Sequence, residues 1–160
     1  GGGGKTLAMA SKQPKAVYAA WDINAARLTP LKERAARAGA KVRLLRQPPE
    51  LPSFDVVLVD APCSGSGAWR RNPEGKWRLT QDRLNDLKNS QQEVLVNAAR
   101  CVQPGGALIY ATCSILNQEN QAQVDQFLQS NPQFSASEIN SFCVSQPGDG
   151  FFCAILHKQL

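Results

Sequence analysis

Two of the five cysteines stand where a side chain can do chemistry. Cys63 lies in Asp60-Ala-Pro-Cys-Ser-Gly-Ser-Gly67 and Cys113 in Tyr110-Ala-Thr-Cys-Ser114, each just past an apolar run that reads as a strand. The thiolate, not the thiol, is the nucleophile, and two thiols at two strand ends point to covalent catalysis. A pyrimidine ring needs such a group. Its carbon 5 is a poor nucleophile until something adds at carbon 6 and turns the ring into an enamine. The only histidine, His157, falls in the last strand, which does not suit a Cys-His dyad and leaves Lys5, backbone amides or a sulfonium cofactor as sources of positive field. Cys101, Cys143 and Cys153 read as small apolar residues, the first in a helix and the others in strands. An odd number of widely spaced cysteines without a C-x-x-C pair argues against both a disulfide framework and a zinc cluster, so no metal is expected.

A second group lies at the start. Gly1 to Gly4 form a flexible turn that lets backbone approach a ligand closely, and Asp22, after the next apolar run, suits the acid that accepts both hydrogen bonds of a ribose diol. Asp22 is equally placed to cap a helix. Gly4-Lys5-Thr6 also ends like a phosphate-binding loop, with Val56 to Asp60 as its magnesium strand; that rival is a nucleotide hydrolase, and it gives Asp22 no task.

The elements that must position these groups alternate. Lys5 to Ser11 suits a short helix, Ala16 to Trp21 a strand, Ala25 to Ala38 a helix closed by Gly39, and Val42 to Leu45 a second strand. Phe54 to Val59 is the clearest strand, β-branched and ending at Asp60. Leu84, Leu87, Val94, Leu95, Ala98 and Val102 give helical spacing over Asp82 to Val102, with Pro104-Gly105-Gly106 as the stop. Ala107 to Thr112 is a strand delivering Cys113, and Asn117 caps a helix reaching about Leu128. Phe142 to Ser145 and Phe151 to His157, joined by Gln146-Pro-Gly-Asp-Gly150, read as a closing hairpin. Alternating strands and helices predict an α/β sheet covered on both faces, with ligands beyond the carboxyl ends of its strands.

With 160 residues, 42% of them hydrophobic, one domain with one core is expected. There is neither a run of eighteen apolar residues nor a cleavable leader, and a cytoplasmic protein without membrane contact is the simplest expectation. The charge of +5, from 18 Lys and Arg against 13 Asp and Glu, favours a polyanionic partner. The chain opens without Met inside a glycine run, which leads us to expect that residues precede it.

Taken together, these motifs resemble the RNA 5-methylcytosine methyltransferases, and within them the bacterial 16S ribosomal RNA branch called Sun or Fmu proteins. Gly3-Gly4-Lys5-Thr6 is similar to the end of that family's cofactor loop, Asp60 to Gly67 to its fourth motif and Tyr110 to Ser114 to its sixth. Arg70-Arg-Asn-Pro73 with Lys76-Trp77-Arg78, and Asp149-Gly-Phe-Phe152, complete a pattern that covers nearly the whole chain. Either cysteine motif alone is common, but the pair at this separation is specific.

The resemblance implies a Rossmann-like class I methyltransferase sheet, mostly parallel with an antiparallel terminal strand, in a single catalytic domain over residues 1–160. It implies S-adenosylmethionine as cofactor and RNA, in particular 16S ribosomal RNA, as substrate. The sequence leaves the oligomeric state open, and a monomer is the default expectation. Cys113 would be the nucleophile at carbon 6 and Cys63 would assist breakdown of the adduct. Asp22 would hold the cofactor ribose, Gly3, Gly4 and Lys5 would line its methionine end, and Asp60 would sit between cofactor and base. Pro62 would shape the base pocket, and Arg70, Arg71, Lys76 and Arg78 would contact phosphate of a flipped or single-stranded target. A non-catalytic RNA-binding relative is the other alternative. The chain departs from the family in two places: the strand before the glycine loop is absent from these residues, and no acid for the adenine follows the strand at Val42 before Glu50.

Overall fold

In the computed structural model, which describes residues 2–49, 52–145 and 148–160, the chain divides into two compact units, Gly1–Pro49 and Glu50–Leu160. In the first, helix α1 (Gly4–Lys12) leads to strand β1 (Tyr18–Ala20). A 3-10 turn (Ala25–Leu28), capped by the Asn24 side chain accepting from the Ala26 N–H, runs into helix α2 (Thr29–Arg37). Strand β2 (Val42–Leu44) then lies parallel to β1, with Tyr18 opposite Val42 and Ala20 opposite Leu44. Leu28, Leu31 and Ala35 form the small core of this unit, with Leu7, Ala20, Val42 and Leu44 packed on it. The Tyr18 hydroxyl reaches the carbonyls of Met9 and Gln13 at 3.0 Å and ties β1 to the end of α1.

The second unit carries a four-stranded sheet in the order β3-β4-β6-β5. Its strands are β3 (Phe54–Asp60), β4 (Val102–Thr112), β5 (Phe134–Phe142) and β6 (Phe151–Lys158). β3 and β4 are parallel, β6 is antiparallel to both of its neighbours, and so β3, β4 and β5 run one way and β6 the other. The reversed strand is last in the chain, as expected, but it lies inside the sheet with β5 at the edge. Between β3 and β4 come a 3-10 turn (Ser66–Ala68), the short helix α3 (Glu74–Arg78) and helix α4 (Gln81–Cys101). A second 3-10 turn (Asn117–Glu119) and helix α5 (Gln121–Ser130) follow β4. Leu95, Leu108, Tyr110, Val124, Phe127, Phe152, Ala154 and Leu156 are fully or almost fully buried in one core, and each large apolar side chain there contributes ~1.5–3 kcal/mol by leaving water. Tyr110 and Phe152 meet edge to face, as do Phe127 and Phe134.

Three expectations need correction. Helix α4 stops at Cys101 and β4 starts at once at Val102, ahead of Pro104-Gly105-Gly106. Proline bars the helical conformation in the residue before it, so the break appears upstream of the proline itself. The hairpin strand is Phe134–Phe142, not Phe142 to Ser145; its run alternates polar and apolar residues and only its beginning is buried, which hides an edge strand from a hydrophobic reading. Cys143 therefore lies beyond the strand and is exposed. Of the connection, Gln146 and Pro147 lie outside the described residues, as does Glu50.

Candidate active site

The pairing of β3 with β4 decides where the cysteines go. Asp60 is aligned with Ala111 and the Ala61 N–H still reaches the Ala111 carbonyl at 3.0 Å, so the two chains leave the sheet side by side at their carboxyl ends. There the Cys63 and Cys113 sulfurs lie 3.3 Å apart, both partly buried. The hydrogen bond with Cys113 raises the pKa of Cys63 most, and burial raises it further. Backbone N–H groups of Gly65 and Cys113 lower it by less. These influences favour the neutral Cys63 thiol, and in the sulfur–sulfur contact either group can be the donor.

What holds the two loops is a buried carboxylate. Glu119, fully buried, accepts from the Ser64 N–H at 2.8 Å on Oε1, and from the hydroxyls of Ser64 and Ser114 on Oε2. Gln91, also fully buried on α4, donates one amide to Glu119 Oε1 at 3.1 Å and to the Pro62 carbonyl at 2.8 Å. Because Ser114 gives its proton to Glu119, the 2.9 Å contact between Ser66 and Ser114 must have Ser66 as donor, and Ser66 in turn accepts the Ile115 N–H at 2.9 Å. Asn120 closes the other side, accepting from Thr112 Oγ1 at 2.6 Å and donating to the Ser114 carbonyl at 2.8 Å. Buried polar groups joined by this many hydrogen bonds rigidify what they link.

A second clasp uses backbone. Gly67 N–H donates to the Cys113 carbonyl and Gly150 N–H to the Gly67 carbonyl, both at 2.9 Å. A Cβ on Gly67 would sit 2.0 Å from the Gly150 carbonyl oxygen, so only glycine allows this approach. Beside it the Arg71 guanidinium forms a two-pronged pair with Asp149 and Arg70 lies 3.9 Å from the same carboxylate. Hydrogen bonding to Arg71 holds the Asp149 carboxyl below its usual range.

This places the predicted residues differently from one another. Cys63 and Cys113 come together, with Pro62 exposed in the same loop and Asp60 at the end of β3. Arg70 and Arg71 turn to Asp149, which makes them clasp residues as well as cations. Lys76 lies 5.6 Å from the exposed Trp77 ring. Arg78 pairs with Glu74 at 2.7 Å and lines a cleft of about 390 Å³ with Cys63, Ser64, Asn72, Gly75, Leu79 and Arg83. Within the first unit, Gly3 caps α1 in the left-handed region (φ 78°), Gly4 and the exposed Lys5 begin the helix, and Asp22 follows β1 and accepts the Asn24 N–H at 2.9 Å. Among the described residues a Cβ at Gly4 would meet nothing within 4 Å, whereas one at Gly3 would strike Leu31, and Asp22 carries the kind of acceptor that a ribose diol needs. Among the described residues no group of three or more His, Cys, Asp or Glu could hold a metal ion, and no helix is long and apolar enough to cross a membrane.

Glu119, Gln91, Asn120 and Arg83 were not legible as site residues. Gln91 had a signal, because it stands seven residues after Leu84 and four before Leu95, on the face that α4 buries. Glu119 had none, since Asn-Gln-Glu-Asn reads as a solvated turn.

Three comparisons bear on this arrangement. The profile of the 16S rRNA methyltransferase RsmB/F family matches residues 1–157. The ribosomal RNA small subunit methyltransferase B of Salmonella newport is 38% identical and that of Erwinia tasmaniensis 36% identical, each over 98% of this chain and 40% of the relative. The chain thus spans about 40% of the length of these curated relatives. Among solved structures, PH0851 is 35% identical with a TM-score of 0.88 over 97% of this chain and 40% of that one. NSun6 from Pyrococcus horikoshii with SFG is 25% identical with a TM-score of 0.81, over 98% of this chain and 45% of that one.

Proposed function

The chain belongs to the 16S rRNA methyltransferase RsmB/F family, its fold is the Rossmann-like class I methyltransferase sheet, and from that premise we propose that it methylates carbon 5 of a cytosine in RNA, most directly 16S ribosomal RNA, through a cysteine adduct. The observation that carries this reading is the sulfur pair, 3.3 Å apart at the ends of adjacent parallel strands. The Cys113 sulfur adds to carbon 6, forming a carbon–sulfur bond and making carbon 5 nucleophilic. Bound S-adenosylmethionine supplies the methyl group. After transfer the proton on carbon 5 is lost, the carbon–sulfur bond breaks and Cys113 leaves as thiolate, with Cys63, one hydrogen bond away, assisting that release.

In this reading both units belong to one catalytic domain. Gly3, Gly4 and Lys5 line the methionine end of the cofactor, Asp22 holds its ribose, Asp60 lies between cofactor and base, and Pro62 shapes the base pocket. Because attack needs the base out of its stack, Arg78 and Lys76, with Arg70 and Arg71 beside them, contact RNA phosphate. The protein works as a monomer in the cytoplasm. Nucleotide hydrolysis, the rival meaning of Gly4-Lys5-Thr6, does not fit membership of a methyltransferase family. The test is a denaturing gel of the full-length protein with S-adenosylmethionine and ribosomal RNA. Cys63→Ala is expected to trap a covalent protein–RNA adduct, and Cys113→Ala to give neither adduct nor methylation; methylation by Cys113→Ala would overturn the proposal.

A further inference from the structure

The two cysteine loops are not held equally. Cys113 is fixed by several independent contacts: Gly67 N–H on its own carbonyl, Asn120 on the carbonyl of Ser114, and the Thr112 hydroxyl, which accepts the Ser114 N–H at 3.2 Å and itself binds Asn120. Cys63 is flanked by Pro62 and Ser64, and the side-chain anchors of both flanks converge on one place. The Pro62 carbonyl is held by Gln91, which is itself bonded to Glu119. The Ser64 N–H and hydroxyl both go to Glu119. Glu119 also takes the Ser114 hydroxyl, so one buried carboxylate spans the loop of one thiol and the loop of the other.

We propose that Glu119 is a positioning residue that keeps Cys63 within reach of the Cys113 adduct, so that it governs release of the methylated base more than attack on it. This rests on the two-cysteine reading above. Charge-assisted hydrogen bonds are about twice as strong as neutral ones, and a side chain without the carboxylate loses them mainly on the Cys63 side, because Cys113 keeps Asn120, Thr112 and the Gly67 amide. Glu119→Gln changes this without changing shape. Its carbonyl oxygen must take the Oε1 place, where the Ser64 N–H cannot turn away, and its amide then faces the Ser64 and Ser114 hydroxyls, which must reverse from donors to acceptors. Ser66 is then asked to change as well, although its oxygen is committed to the Ile115 N–H. Glu119→Ala removes the bonds of the carboxylate to Ser64, Ser114 and Gln91 at once and leaves Gln91 on the Pro62 carbonyl and the Ser66 N–H on the Ser64 hydroxyl.

The experiment follows adduct formation and decay on denaturing gels in single-turnover reactions of the full-length protein, with thermal unfolding measured for each variant. Glu119→Gln is expected to form adduct at a rate within about threefold of wild type and to lose it at least about threefold more slowly. Glu119→Ala, if folded, is expected to slow decay at least about tenfold, approaching the Cys63→Ala trap. A merely structural role would lower formation and decay together. Decay of the Glu119→Gln adduct at the wild-type rate, or loss of formation and decay by the same factor, overturns the proposal; Glu119→Gln alone decides if Glu119→Ala does not fold. Failure of the underlying reading appears elsewhere, as methylation by Cys113→Ala or the absence of a trap in Cys63→Ala.

Discussion

Replacing Gln91 by methionine separates the polar tie from the packing around it. The side chain is fully buried, its amide donates to the Pro62 carbonyl at 2.8 Å and to Glu119 at 3.1 Å, and its own Oε1 has no hydrogen-bond partner among the described residues. The orientation is forced, because both neighbours are acceptors. Methionine has nearly the same length and volume, so little cavity forms. Losing a hydrogen bond to a carboxylate costs ~1.5–3 kcal/mol and one to a carbonyl ~0.5–1.5 kcal/mol, while removing an unpaired buried oxygen returns ~1–3 kcal/mol. At mid-range about 3 kcal/mol is lost and about 2 kcal/mol returned, a net destabilisation of about 1 kcal/mol, or a fall of about 2–4 °C in the Tm of a domain of 160 residues. Gln91→Ala adds an empty volume and should cost more, in the ~2–5 kcal/mol range of buried truncations to alanine. Calorimetric melting of the full-length variants measures both. A Tm for Gln91→Met at or above wild type would refute the reasoning, since it would mean that desolvation of Oε1 outweighs both bonds.

Further outcomes follow from the same geometry. Gly67→Ala places a Cβ against the Gly150 carbonyl oxygen at 2.0 Å, where backbone must move, and should destabilise by at least the ~1–3 kcal/mol of an overpacked site. Gly148→Ala, whose Cβ would meet, among the described residues, only Ser145 at 3.9 Å, is the neutral control in the same melting experiment. Arg83→Ala, on the cleft beside Cys63, should raise KM for RNA with kcat unchanged and reduce the salt dependence of binding by about one phosphate contact; a lower kcat at unchanged KM would contradict this. Burial raises the thiol pKa of Cys101 and Cys153, and the Cys113 hydrogen bond followed by burial raises that of Cys63. Groups whose folded pKa lies above the unfolded value contribute full stability below the unfolded pKa of 9.0. That stability is lost as pH rises past it, so the denaturant midpoint should fall above pH 9. A midpoint that rises there would contradict the assignment.

How much of this was legible depended on the kind of force at work. The β3 run and its terminal Asp60 were plain because Val56 to Val59 is an unbroken string of β-branched and apolar residues, although only Val59 of it is buried, and the two cysteines announced themselves by following such strings. β5 was hidden because an edge strand keeps only part of one face dry, so its sequence around Ser135 to Asn140 looks like a loop. α3 was missed because five residues give less than two turns of pattern. At the site, sequence supplied the thiols and left out what aims them. Glu119 and Gln91 are polar residues buried only because tertiary structure brings donors from Ser64 and Ser114 and an acceptor from Pro62 to meet them, and no local pattern encodes that meeting. The pairing of Arg71 with Asp149 is of the same kind, a contact between distant segments that gives an expected phosphate ligand a place in a clasp as well.

The central claim is that Cys113, not its neighbour, bonds to the base. RNA in which the target carries fluorine at carbon 5 tests it most directly, since after methyl transfer there is no proton on that carbon to lose and the adduct cannot resolve. Digestion and mass spectrometry of the trapped full-length protein should find the nucleotide and the transferred methyl on the peptide that contains Cys113. The same mass on the Cys63 peptide, or no adduct on either while the unfluorinated RNA is methylated, would contradict the account.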